Sequence, residues 1–303
     1  MRLVPGGRFV MGSDHHYPEE APSRPVSVDP FWIDAFPVTN KDFASFVAAT
    51  GHATFAERPP DPTLYPEAKP EFLHPGSAVF VSPKGPVPLH DSSQWWEFRL
   101  GADWRHPLGP ESSIAGLEDH PVVHIAYEDA AAYAAWARAD LPTEAEWEFA
   151  AQGGKGNLPY AWGDELAPDG RMLANYWQGE FPWRNLELDG YMRTSPVGTY
   201  PANDFGLYDM IGNVWEWTSD WYGRHQASAS PCCAPVNPRG VTEQESLDPS
   251  APVGRKVVKG GSHLCAPNYC QRYRPAARYP QPVDTTTSHV GFRCVRRRNS
   301  EAR

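Results

Sequence analysis

Two cysteines five positions apart are the most chemically suggestive residues of this 303-residue chain. They lie in Lys259-Gly-Gly-Ser-His-Leu-Cys265-Ala-Pro-Asn-Tyr-Cys270-Gln-Arg-Tyr-Arg274. Five residues of extended chain span about 16 Å, and positions five apart diverge on a helix. The two thiols can therefore meet only across a turn, which Pro267-Asn268 can supply. A pair that meets can form a redox disulfide, hold a soft metal, or remain two unrelated buried thiols. Two thiolates suit Cu(I), which accepts low coordination, whereas structural zinc takes four ligands.

Other segments offer oxygen. In Gly206-Leu-Tyr-Asp209-Met-Ile-Gly212-Asn-Val214-Trp215-Glu216-Trp217, tryptophans alternate with Glu216. A strand there presents an aromatic face and, opposite, a carboxylate. Asp209, Glu216 and backbone carbonyls can form a hard-cation site of the kind Ca2+ accepts; the alternative is an aromatic core with a solvated glutamate. Asn175-Tyr-Trp-Gln-Gly-Glu180, followed by Asp189-Gly-Tyr191, places oxygen donors on a loop without EF-hand spacing. His120 and His124 would sit about 13 Å apart on a strand, too far for one metal. The chain has no His-Glu-x-x-His, Gly-x-Ser-x-Gly, P-loop or dinucleotide fingerprint, which removes the common hydrolase, kinase and dehydrogenase readings.

Few regular elements are available to position these groups. The chain holds 33 prolines and 25 glycines, which limit uninterrupted helix and strand. Three helices are expected: about Asn40 to Thr50, about Glu128 to Arg138, and one from Thr143, a capping-box threonine, to just before Gly153. Alternating runs predict strands at Arg8–Gly12, Val26–Ile33, Val122–Ala126, Val214–Trp217, Lys256–Val258 and Val290–Val295. With no repeat and no polar linker, residues 1–303 read as one α+β domain whose long loops carry function. The net charge of −10 argues against nucleic acid and membrane as partners and favours basic ligands. No signal peptide or membrane span is read, so a cytoplasmic location is expected. Five cysteines are an odd number, which excludes a pure disulfide scaffold.

Five segments taken together go further: Val4–Ser13, Leu141-Pro-Thr-Glu-Ala-Glu-Trp-Glu148, Gly206–Trp217, Lys259–Arg278 and His289-Val-Gly-Phe-Arg-Cys294. They resemble the formylglycine-generating enzyme (sulfatase-modifying factor) family of prokaryotic type, over residues 2–296, with 297–303 as a tail. The Gly-Gly-Ser-x-x-Cys-x4-Cys-x-Arg-Tyr-Arg segment marks the generating enzymes within a superfamily that also holds silent paralogues, binding modules and sulfoxide synthases. The resemblance implies a C-type-lectin-like α+β fold with little regular secondary structure. It implies oxidation of the cysteine of an unfolded sulfatase segment, Cys-x-Pro-x-Arg, to Cα-formylglycine, with O2 as co-substrate and an external thiol or other reductant. By similarity Cys265 and Cys270 bind Cu(I), and Ser262 and Trp215 line the oxygen pocket. Trp95 is a groove residue that contacts the peptide, Tyr269 lies beside the metal pair, and His289 replaces a polar amide that helps bind peptide. One structural Ca2+ site matches Asn175, Tyr176, Asp189 and Tyr191; a second matches Asp209, Gly212, Val214 and Glu216, both partly through backbone carbonyls.

Departures from the family pattern carry expectations too. Disulfide partners of secreted members would fall at Ala134, Ala151 and Pro275, so Cys294 is expected to be unpaired and buried. Cys232 and Cys233 lie in a proline-rich insertion without counterpart and are expected to be incidental. The acidic residue that receives the substrate arginine falls near Ser77, in a stretch that aligns poorly. The chain is expected to be a monomer. Two other functions are open to this superfamily. One is a non-catalytic lectin-like peptide-binding module, which the cysteine pair argues against. The other is an iron-dependent sulfoxide synthase, which normally carries an additional histidine-bearing helical domain.

Overall fold

Four helices and thirteen short strands are defined among residues 1–63, 65–225, 234–247 and 253–297, which are the residues this computed structural model describes. Cys232, Cys233 and the tail beyond residue 297 lie outside them. The helices are α1 (Asn40–Thr50), α2 (Tyr127–Trp136), α3 (Glu144–Gln152) and α4 (Glu243–Ser246). The strands are β1 (Arg2–Val4), β2 (Gly7–Met11), β3 (Arg24–Val28), β4 (Phe31–Ile33), β5 (Gly76–Phe80), β6 (Trp96–Leu100), β7 (Gly179–Glu180), β8 (Arg184–Asn185), β9 (Trp215–Trp221), β10 (Arg255–Lys259), β11 (Arg278–Pro282), β12 (Val290–Gly291) and β13 (Val295–Arg297).

Helix boundaries follow local chemistry. Thr39 and Asp42 form a reciprocal capping box at the start of α1, as Thr143 and Glu146 do for α3. Gly51 and Gly153 end the two helices in the left-handed conformation, at φ 70° and 60°. The expected second helix begins one residue early, at Tyr127, where the Asp129 carboxylate accepts the Ala126 N–H at 3.0 Å.

The strands are shorter and more scattered than the alternating runs suggest. The Val26–Ile33 run is interrupted at Asp29-Pro30 and feeds two sheets: β3 pairs with β2, and β4 lies between β1 and β13. The Val290–Val295 run divides likewise, β12 lying parallel to β9 and β13 joining β4. Val122–Ala126 is not a strand. His124 takes φ 62°, and the Val122 and His124 N–H groups donate separately to Val38 and Thr287. The β5–β6 hairpin falls inside a region read as loop, because its outer face carries Glu97 and Arg99 and gives no clear alternation.

A four-stranded sheet in the order β11-β10-β9-β12 is the platform for the site. Behind it packs α3, whose Trp147 is fully buried and donates its indole N–H to Glu216 at 2.7 Å. Buried ion pairs tie this layer together. Lys259 meets Glu148 at 2.8 Å, Arg278 meets Glu144 at 2.7 Å, Arg274 meets Glu20 at 2.8 Å, and Arg293 meets Glu216 at 2.7 Å. A smaller aromatic cluster of Phe80, Trp95, Trp177 and Phe181 packs on Leu264 and Ala266, immediately beside Cys265. Ala134 and Ala151 are core residues, and Cys294 is a free, buried thiol, as the sequence leads one to expect. Among the described residues no helix is long and apolar enough to cross a membrane.

Candidate active site

The turn after β10 delivers the cysteines. Gly260 and Gly261 take φ 92° and 70°, and a Cβ on Gly261 would stand 2.7 Å from the Arg272 carbonyl oxygen. Only glycine allows that approach, so the segment entering the site lies directly against the one leaving it. Two tight turns follow: Cys265 N–H donates to Ser262 O at 2.9 Å, and Cys270 N–H to Ala266 O at 3.0 Å. The second turn contains Pro267-Asn268, the pair expected to reverse the chain.

Both thiols are free, with the sulfurs 3.1 Å apart. That is well beyond a disulfide bond of about 2.05 Å and short enough for one thiol to donate to the other. Cys265 is buried and Cys270 partly so. Burial, then the Cys270 sulfur, pushes the Cys265 thiol well above its ordinary range. The hydrogen bond from Cys265, helped by the Arg272 guanidinium, brings Cys270 down to about 6. Hydrogen bonding and the guanidinium therefore favour the thiolate at Cys270, the less buried of the two sulfurs.

The sulfurs open into a cavity of about 430 Å³. All seven residues assigned by resemblance to catalysis and substrate binding line it: Cys265, Cys270, Ser262, Trp215, Trp95, Tyr269 and His289. Ser262 Oγ accepts the Leu264 N–H at 3.2 Å. His289 Nδ1 is 2.7 Å from Thr287 Oγ1, and its ring packs 4.9 Å from Trp96. Burial pulls His289 down to about 3, so it stays neutral. The Tyr269 ring stacks on Phe181 at 4.6 Å and meets Trp95 edge-on at 5.5 Å.

Phe181, Trp96, Tyr279 and Arg272 also line the cavity, without a role in the sequence reading. Asn268 fixes Phe181 by bonding its backbone N–H at 3.3 Å. That link spans 87 residues and leaves no local trace in the sequence. Arg272, by contrast, stands inside the cysteine motif itself. Ser77 is fully buried and bonded to His124 Nδ1 at 2.6 Å, and among the described residues no carboxylate lines the cavity.

The oxygen-rich loops sit behind the sulfurs and are stitched to them. Trp177 N–H donates to Cys265 O at 2.9 Å, Asn213 N–H to Asn175 O at 2.8 Å, and His263 N–H to Asn213 O at 3.0 Å. In the first loop Asp189 accepts the backbone N–H groups of Tyr176 and Tyr191, at 3.2 and 3.0 Å. The Gln178 amide bridges Tyr176 O and Asp189. Asn175 Oδ1 is buried without a hydrogen-bond partner among the described residues, and burial raises the Asp189 carboxyl. An orphan oxygen beside a desolvated carboxylate is a donor set that fits a hard cation. The second loop is less open. Arg293 occupies both Glu216 oxygens at 2.7 Å and Trp147 shares one. Asp209, raised to about 6 by burial, accepts the Gly198 N–H at 2.7 Å. Glu216 Oε2 is therefore doubly engaged and Oε1 singly, which makes Asp209 the less committed carboxylate beside the Gly212 and Val214 backbone.

The sulfatase-modifying factor enzyme 1-like domain matches residues 1–298. The chain belongs to this family. It is 54% identical over 295 residues to the formylglycine-generating enzyme of Mycobacterium tuberculosis, covering 96% of each chain. It is 43% identical over 304 residues to the formylglycine-generating enzyme of Thermomonospora curvata, covering 97% of this chain and 92% of that one. Among solved structures, PvdO from Pseudomonas aeruginosa superposes with a TM-score of 0.64 at 23% identity, covering 97% of this chain and 92% of PvdO. That likeness bears on the fold alone, which is the expected α+β, C-type-lectin-like fold with few regular elements.

Proposed function

We infer that this chain is a formylglycine-generating enzyme. It acts on the cysteine of a Cys-x-Pro-x-Arg segment in an unfolded sulfatase, with O2 as oxidant and Cu(I) as cofactor. The observation that carries the reading is the reduced Cys265–Cys270 pair, 3.1 Å apart in an aromatic cavity, within a chain of this family.

Cys265 and Cys270 would hold Cu(I): two soft donors, one already favouring the thiolate, with no third histidine, cysteine or carboxylate clustered beside them among the described residues. The bound metal would supply affinity for the substrate sulfur and the means of engaging O2. The remaining tasks fall to the chain. Trp95, Phe181 and Tyr269 grip the peptide on either side of its cysteine. Neutral His289, steadied by Thr287, bonds the peptide backbone. Ser262, whose oxygen already accepts from Leu264, keeps its hydroxyl hydrogen free to donate toward O2. Trp215 and Trp95 exclude water from that space. The reaction removes hydrogen from the substrate Cβ and replaces sulfur with oxygen. Substrate thiol, O2, two protons and two electrons give aldehyde, hydrogen sulfide and water. The external thiol supplies those two electrons and is itself oxidised to a disulfide.

Ca2+ would bind the first loop through Asn175, Asp189 and the carbonyls of Tyr176 and Tyr191, bracing Cys265 through Trp177. In the second loop Asp209, the Gly212 and Val214 backbone and Glu216 would be the donors, Glu216 sharing its carboxylate with Arg293.

The test is to incubate the copper-loaded protein with a Cys-x-Pro-x-Arg peptide, O2 and a thiol. The peptide should lose one sulfur and two hydrogens and gain one oxygen by mass. Cys265→Ser and Cys270→Ser should lower the rate by at least about a thousandfold, since residues acting as one unit fail together. Copper bound at one equivalent with no change in peptide mass would sink the reading.

A further inference from the structure

Among the described residues, Arg272 is the one charged side chain lining the sulfur cavity. Its Nη1 lies 3.7 Å from Cys270 Sγ, and its Nε donates to Glu19 at 3.1 Å. The guanidinium lies over the Tyr17 ring, 3.8 Å from its centroid, with the Tyr279 ring 5.2 Å away. The Tyr17 hydroxyl in turn accepts the Gln271 N–H at 3.0 Å, so the stacking ring is anchored to the motif it serves. A long, flexible side chain is thus held in one place by a carboxylate and two rings.

Charge bookkeeping gives this placement a purpose. Two thiolates and one Cu(I) carry a net charge of minus one, and a substrate thiolate arriving in the same cavity adds another. The walls are mainly tryptophan, phenylalanine and tyrosine, with Ser262, Gln281, Thr287 and neutral His289 as the uncharged polar groups, and among the described residues no carboxylate or second cation lines the space. An unmatched anion in such surroundings is costly, and a guanidinium in contact with sulfur offsets that cost. Glu19 takes the Nε and Nη2 side of the guanidinium and leaves Nη1 to face the sulfur.

We propose that Arg272 is a positioning residue that compensates the negative charge of the Cys265–Cys270 site, so that metal affinity depends on it. The inference rests on the Cu(I) reading above. It differs from a packing role, because the side chain makes one partly exposed ion pair and lies outside the buried ionic layer.

The experiment is a Cu(I) competition titration of the full chain against a chromophoric chelator, with thermal unfolding measured in parallel. Wild type should take one Cu(I). Arg272→Met and Arg272→Gln should bind it about tenfold or more weakly, the scale of losing a charge-assisted hydrogen bond. Arg272→Lys keeps the charge and should stay within about threefold of wild type. Melting temperatures of the metal-free proteins should agree. Wild-type affinity in both neutral variants overturns the proposal, as does a lysine variant as weak as the neutral ones, which would mean that shape rather than charge is needed. A wild-type chain that takes no Cu(I) fails the copper reading itself, and the assignment of Arg272 falls with it.

Discussion

Toward α3 and the turn at Pro18–Glu20, the segment from Lys259 to Arg278 presents Lys259, Arg274 and Arg278, and each meets a glutamate in a buried pair. Toward the cavity, the same segment presents Cys265 and Cys270, which meet each other, Arg272 and aromatic rings. The ionic side has every charge answered and every partner fixed, which resists local opening. The sulfur side leaves one thiol poised to ionise, beside space. Reactivity is kept where partners are few, and the rigid layer beneath holds that unfinished arrangement in place. This division assigns separate kinds of failure to the two sides.

The largest effect is expected from breaking the ionic side. Glu148 accepts from Lys259 at 2.8 Å and from the Gly12 N–H at 2.7 Å, and both side chains are fully buried. Glu148→Gln leaves the lysine charge without its main partner and should cost about 3–5 kcal/mol of stability in denaturant unfolding. Thiol reactivity at Cys270 in the remaining folded fraction should be unchanged. A variant as stable as wild type would show that the pair is not what secures the layer.

The next effect tests whether the first oxygen-rich loop belongs with the ionic side or the sulfur side. Chelating Ca2+ should lower stability by about 2–3 kcal/mol if calcium stands a hundredfold above its dissociation constant. Asp189→Asn should remove the first loop's share of that calcium dependence. Because Trp177 donates to Cys265 O, the loss should also weaken Cu(I) binding. Calcium-independent unfolding of wild type would remove the loop from the metal sites and leave its orphan oxygen to water.

How far this division could be read in advance depended on range. Thr143 marked its helix because a cap is written within four residues of sequence. The cysteine pair was legible for the same reason, since its turn is local and proline lies inside it. Phe181 was not, because it reaches Tyr269 only after two loops far apart in sequence have packed. Val122–Ala126 has the alternation of a strand, yet the left-handed His124 breaks it, bonded through its side chain to Ser77 and Pro107. The ionic pairs of Lys259, Arg274 and Arg278 each bridge more than a hundred residues, so sequence showed the charges without their partners. The resemblance to a known family named the cavity residues, and it gave no reason to separate Arg272 from the other arginines of its motif.

A smaller effect comes with acid. Burial pulls His124 and His263 down to about 4, from an ordinary 6.5. A depressed histidine binds its proton more tightly in the unfolded chain, so its contribution is complete above pH 6.5 and drains away toward pH 4. Each should remove about 1–2 kcal/mol between pH 7 and 5. His124→Asn should reduce the slope of stability against pH across that range, whatever it does to the stability at pH 7. An unchanged slope would mean that His124 takes up its proton in the folded state.

The smallest effect concerns the sulfur side and separates grip from chemistry. Tyr269 follows Asn268, which fixes Phe181, and its ring lies flat on Phe181 with an interplanar angle of 5°. It is 41% exposed, so a peptide entering the cavity meets it before it meets the sulfurs. Removing the ring takes away an aromatic contact of about 0.5–1.5 kcal/mol and should raise KM about three- to tenfold. It should leave kcat near wild type, because the ring contributes equally to the bound substrate and the transition state. Tyr269→Phe keeps the stack and should behave as wild type. If Tyr269→Ala instead lowers kcat at unchanged KM, the ring acts on the reacting sulfur. The boundary between the aromatic grip and the thiol pair would then run through Tyr269 rather than between it and Cys270.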